Sequence, residues 1–137
     1  MNVYTFYDYI DESGAIVIKT WLNGDGKLAK AFFTNLIPNL ERSTPPHFND
    51  TVWRRPHYKP LENKKGQHWE GFAELRKTGK IQFRIIIQIC DHKVFMVACG
   101  THKDQNFEID VSPDTARRRV EQMTNNPAKY RREHEYD

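Results

Sequence analysis

GFAELRKTGKIQFRIIIQICDHKVFMVACGTHKDQ, residues 71–105, reads as three successive β-strands joined by two tight turns. Phe72 to Lys77 alternates in character, and Thr78-Gly79 is a turn signal. Ile81 to Cys90 is the most β-prone run in the chain, Asp91-His92-Lys93 is a polar turn, and Val94 to Gly100 is a third apolar run. A period of two puts Phe83, Ile85, Ile87 and Ile89 on one face, with Arg84, Ile86, Gln88 and Cys90 on the other. Likewise Glu74 and Arg76 oppose Ala73 and Leu75. The first face is a core face and the second carries arginines, so a one-residue slip would bury charge and the register is firmly specified.

Outward from this sheet, Val3 to Ile10 alternates aromatic and polar residues as a strand does, and Asp11-Glu12-Ser13-Gly14 ends it. Ala15 to Leu22 is rich in β-branched residues, which argues for a strand and a terminal hairpin. Past Asn23-Gly24-Asp25-Gly26, apolar residues at Leu28, Phe32 and Leu36, widened by Phe33, Ile37 and Leu40, recur at helical spacing, with Pro38 as a point of breakage. A Phe-rich stripe of this kind is core packing. Residues 43–65 form the longest irregular stretch, with Pro45, Pro46, Pro56 and Pro60, and with Trp53 and Tyr58 suited to capping one end of the core. Beyond the sheet, Ser112-Pro113-Asp114 is a helix start, Ala116 to Met123 continues it, and Asn125-Asn126-Pro127 begins a second helix running through Arg132.

The chain has 137 residues, one domain's worth, with 12% aromatic and 28% charged residues. No run approaches the roughly 20 apolar residues of a membrane helix, and residues 1–30 lack the basic-then-apolar pattern of a secretory signal, so a cytoplasmic location is expected. Cys90 and Cys99 fall near opposite ends of the second hairpin and read as small buried hydrophobes rather than a disulfide pair. The six histidines have no metal-ligand spacing, and neither a metal nor another cofactor is expected. Phosphate-binding glycine loops, nucleophile elbows and paired-cysteine motifs are absent, which removes most common enzyme classes.

Net charge is +3 but unevenly spread: residues 51–103 carry 11 Lys+Arg against 4 Asp+Glu, whereas residues 1–50 carry 4 against 6. A basic field on the sheet and its entering loop attracts polyanions or an acidic protein segment. Arg54, Arg55, Lys59, Lys64 and Lys65 interleave with Trp53, His57 and Tyr58, a combination that stacks on bases and neutralises phosphates. Arg54, Arg55, Lys77 and Lys80 are the RNA-binding candidates from this region. Cleaving RNA without a metal needs cations on the phosphate, a base for the 2′-hydroxyl proton and an acid for the leaving 5′-oxygen. Arginine suits the first task and histidine the others.

FAELR, a short turn, FRIII, and a hydrophobic strand ending in GTHKDQ together resemble the sheet of the RelE/ParE/HigB toxin superfamily, closest to its phage-associated HigB-like branch. The opening TFYDYIDESG, the later WL and the segment WRRPHYKPLE match that branch in order and spacing. The resemblance implies a small α+β domain spanning residues 1–137: an antiparallel sheet core, N-terminal helices packed on one face, and a C-terminal helical extension at about 113–137. It also favours a short helix for Ala15 to Leu22. It implies the toxin of a type II toxin–antitoxin pair, an mRNA endoribonuclease acting on the ribosome, with an acidic antitoxin segment covering the basic face. Arg76 and Arg84 match the strand arginines that would contact the scissile phosphate. His102 and Lys103 stand where the branch shows a Lys-Lys pair, and Tyr130 is the match for a C-terminal tyrosine that stacks on a base. The superfamily also contains gyrase poisons and inactive members, so a non-catalytic protein that binds gyrase, an antitoxin or RNA is the alternative. A general RNA-binding domain built on the Trp53 to Lys65 loop is a third.

Overall fold

The structure, a computed structural model, describes residues 3–42, 53, 57–61, 63, 68–102 and 111–135. Its elements are β1 (Thr5–Tyr9), α1 (Val17–Leu22), a 3₁₀ turn (Lys27–Ala29) running into α2 (Lys30–Arg42), β2 (Tyr58–Pro60), β3 (Phe72–Lys77), β4 (Gln82–Cys90), β5 (Lys93–His102), α3 (Pro113–Asn125), α4 (Pro127–Tyr130) and β6 (Arg131–Glu133). The class is α+β. The six strands form one sheet in the order β2-β3-β4-β5-β1-β6.

The meander of residues 71–102 has the turns its sequence demands. Gly79 takes φ 150°, and Asp91 takes φ 57°, a left-handed conformation that Asp tolerates better than most residues. β3 pairs antiparallel with β4, and β4 with β5, through registers such as Leu75↔Ile85 and Ile85↔Cys99. The sheet core is antiparallel, as expected, and β1 joins it in parallel with β5 (Phe6↔Val94). Between them the chain passes through α1 and α2, re-enters the sheet at β2 on the far edge in the opposite sense, and reaches β5 only after three antiparallel steps, which leaves β5 parallel to β1.

Ala73, Leu75, Phe83, Ile85, Ile87, Val94, Met96 and Cys99 face α1 and α2 and, with Phe6, Ile18, Trp21, Phe33, Ile37 and Leu40, make the larger core. The opposite face is less polar than its arginines suggested. Phe72, Ile86, Phe95, Val97 and Ala98 pack with Trp69 and with Ala116 and Met123 of α3 in a second core. A register shift at Ile86/Ile87 bends β5 against β4 there. The two cores lie on opposite faces, which fixes the register as strictly as the arginines were expected to.

Several expectations change at the elements' ends. Residues 17–22 are the short helix that the resemblance implies, and the alternative of a hairpin strand falls away. The 3₁₀ turn before α2 advances the phase of the apolar stripe, so Ala29 is buried where Leu28 was expected, and Leu28 is left 66% exposed. Pro38 does not break α2, which continues to Arg42 because Ile37 and Leu40 are both fully buried and hold the last turns on the sheet. Residues 58–60, expected to be irregular, form edge strand β2 against β3. The last helix stops at Tyr130, because Arg131–Glu133 pairs with the free edge of β1 instead.

Trp53 is 1% exposed, donates its indole N–H to the Leu40 carbonyl at 3.0 Å and packs against Tyr4, so it caps the larger core. Cys90 and Cys99 are free thiols, and burial raises the Cys90 pKa. Cys99 is buried, whereas Cys90 is only half-buried at the strand end. Among the described residues no helix is long and apolar enough to cross a membrane.

Candidate active site

The β3–β4 register sets Arg76 directly opposite Arg84. Both side chains stand on the face of the sheet that carries the second core, in line with Phe72 and Ile86. Directly paired residues have Cβ atoms about 5 Å apart, so two guanidiniums here repel unless something lies between them. Glu74 does. Its carboxylate, 2% exposed, lies 3.2 Å from Arg84 Nη1 and 3.7 Å from Arg76 Nη1. Arg84 also donates from Nη2 to Gln82 Oε1 at 2.9 Å. The guanidiniums are held in place while 18% and 17% of the two arginine side chains remains in solvent.

Neighbouring strands extend the cluster. On β5, Gly100 is opposite Arg84 and the backbone of His102 is opposite Gln82, two residues further along. A glycine beside Arg84 puts no side chain of β5 next to its guanidinium. On β2, Lys59 is in register with Glu74, so the pleat carries it onto the same face. The register therefore gathers Lys59, Arg76, Arg84 and the His102 backbone over four adjacent strands, roughly 15 Å wide at 4.8 Å per strand. Among the described residues, Glu74 is the carboxylate that pairs with both arginines. The cluster is a cationic site whose arginines are oriented by a buried anion, and it suits binding a phosphodiester.

The remaining candidates are dispersed. Lys77 turns to the other face, with its Nζ 5.8 Å from the Phe83 ring, and Lys80 is exposed in the β3–β4 turn. Tyr130 lies past β1 at the opposite side of the sheet, stacked on Tyr9 at 6.4 Å and donating its hydroxyl to Glu12 at 2.8 Å. It is not brought near Arg84. Arg54, Arg55 and Lys103 fall outside the described residues. Among the described residues, no three His, Cys, Asp or Glu side chains are gathered to hold a metal ion.

From sequence, Glu74 reads at most as a structural partner of Arg76 and Lys59 only as one of the basic residues of the 43–65 stretch; neither is among the expected site residues. The signal for Glu74 was present: a glutamate sharing a strand face with Arg76 is within reach of it. The signal for Lys59 was hidden, because a three-residue edge strand between prolines carries no period of its own.

No protein-family model, curated protein or solved structure matches the chain.

Proposed function

We propose that the protein is a metal-independent endoribonuclease of the RelE/HigB toxin type, acting on mRNA at the ribosome and restrained by an acidic antitoxin. The observation that carries the proposal is the in-register Arg76–Arg84 pair oriented by buried Glu74, with the His102 backbone on the adjoining strand. In this reading the two guanidiniums hold the non-bridging oxygens of the scissile phosphate and offset the charge that builds as it becomes pentacoordinate. The 2′-hydroxyl loses its proton, its oxygen bonds to the adjacent phosphorus, and the bond from phosphorus to the 5′-oxygen breaks. The leaving oxygen takes up a proton, giving a 2′,3′-cyclic phosphate and a 5′-hydroxyl. His102 transfers a proton in this scheme, and Lys103 adds positive charge beside it.

Tightly induced expression of the wild type beside Arg84→Ala and His102→Ala, with growth followed and mRNA 5′ ends mapped, tests this. Growth arrest with new 5′-hydroxyl ends, lost in both variants, is the expected result. Arrest with intact mRNA overturns it.

The ion pairs favour a second reading. Both arginines are engaged by Glu74 and mostly covered. A non-catalytic interaction protein would use the same cluster to hold β3 and β4 in register and present a basic face to an acidic partner. No arrest together with tight, salt-sensitive binding of such a partner is its signature.

A further inference from the structure

A cavity of about 140 Å³ opens on the opposite face of the sheet, where α1, α2 and the segment from Arg132 to Glu135 meet. It lies at the β6 side of the sheet, far from Arg76 and Arg84. Lys19 of α1, Lys30 and Thr34 of α2, and Arg132 and His134 line it, with Glu135 at its mouth. Three cations thus meet at a cavity too small for a drug-sized ligand, which needs about 300 Å³ or more. A single small anionic group fits it.

The floor is built rather than accidental. Asp8, fully buried on β1, accepts from Arg132 Nε at 3.0 Å and lies 2.9 Å from His134 Nδ1. One carboxylate therefore fixes both the guanidinium and the imidazole ring, and the His134 side chain is only 9% exposed. Lys30 is steadied by Asn23, whose side-chain oxygen accepts from Nζ at 2.8 Å. The mouth already holds an oxyanion: Glu135 Oε2 is 3.2 Å from Arg132 Nη1, and its side chain is 65% exposed, so it swings out at little cost. It occupies the position that an external anion would take.

We infer that this cavity is a binding site for a phosphate group, seated by Lys30, Thr34 and Arg132 beside His134, with Asp8 orienting Arg132 and His134 from behind the lining and Glu135 as the internal competitor it displaces. A tetrahedral phosphate suits the arrangement because an ammonium and a hydroxyl of α2 and a guanidinium of β6 line the same cavity, offering donors from different directions. The group comes either as the free ion or as the terminal phosphate of a nucleic acid fragment. The inference stands independently of the Arg76–Arg84 reading.

The full chain is titrated with inorganic phosphate at constant ionic strength, with the amide resonances of Lys30 and Thr34 followed by NMR. Saturable shifts there are expected, about tenfold weaker in Lys30→Gln and about threefold tighter in Glu135→Gln, and unchanged in Arg84→Ala. These two variants leave Asp8 and its partners intact, so the fold is retained. A parallel titration, read at the same resonances, compares a short RNA bearing a 5′-phosphate with its 5′-hydroxyl twin: shifts with the first alone identify a terminal phosphate, shifts with neither identify the free ion, and equal shifts with both overturn the inference. Shifts that never saturate, or that ignore both substitutions, overturn the inference.

Discussion

Glu74 is the residue on which the β3–β4 cluster depends. Its neutral isostere would leave Arg76 and Arg84 facing each other, each mostly covered and without the charge between them. Glu74→Gln is therefore expected to lower stability by about 2 kcal/mol, the scale for losing a hydrogen bond to a charged group, measured by urea denaturation. Glu41 behaves in the opposite way. It is buried on α2, with the Phe6 N–H 3.4 Å from its carboxylate, and burial raises its pKa despite that bond and the nearby His134. A carboxyl whose folded pKa lies above its unfolded one favours folding fully at pH below the unfolded value, and that contribution is lost as pH rises through the folded value. Glu41→Gln should raise Tm at pH 7 and confer no advantage near pH 4. Equal effects at both pH values would count against a buried charge as the cause.

At the scale of elements, Pro38 lies within α2 without ending it. It removes the N–H that would bond to the Thr34 carbonyl and crowds that turn, while Ile37 and Leu40 keep the helix in place through burial. Pro38→Ala should accordingly stabilise the protein by ~1 kcal/mol or more, with the urea midpoint as the measure. This element also marks how far the sequence could be read. The meander was legible because alternation over three consecutive strands leaves one register that buries the isoleucines. Helix 113–125 was legible from Ser112, whose Oγ accepts from the Thr115 N–H at 3.2 Å as the cap. The phase of α2 was not, because a 3₁₀ turn of three residues shifts a 3.6-residue stripe without leaving any mark in composition. β2 and β6 escaped for a different reason: three-residue strands owe their existence to the edge they pair with. At the site, Arg76 and Arg84 were placed on one face from period two alone, whereas Tyr130 depended on a tertiary position that local pattern does not encode.

For the molecule as a whole, β6 joins sequence positions 131–133 to β1 at positions 5–9. Deleting residues 131–137 would strip Asp8 of both Arg132 and His134 and leave a fully buried carboxylate unpaired. A loss of about 3–5 kcal/mol is expected, the range for breaking a buried ion pair, and circular dichroism at 37 °C with chemical denaturation would measure it. A truncated chain as stable as the parent would show that Asp8 is solvated instead. The charge asymmetry belongs to this scale too, since the excess of Lys and Arg over residues 51–103 confers salt-sensitive attraction to polyanions whatever the detailed chemistry.

The parallel pairing of β1 with β5, and the return of β6 to β1, also govern the order in which the protein can assemble. β1 is made first, yet its neighbours in the sheet begin at positions 93 and 131. Until β5 has left the ribosome, β1 has helices to pack against but no strand beside it, and until β6 follows it has a strand on one side alone, while the β3–β4–β5 meander can form from contacts close in sequence. Folding should therefore be slow for a domain of this length, with the meander present early and the closing of β1 between β5 and β6 as the late step.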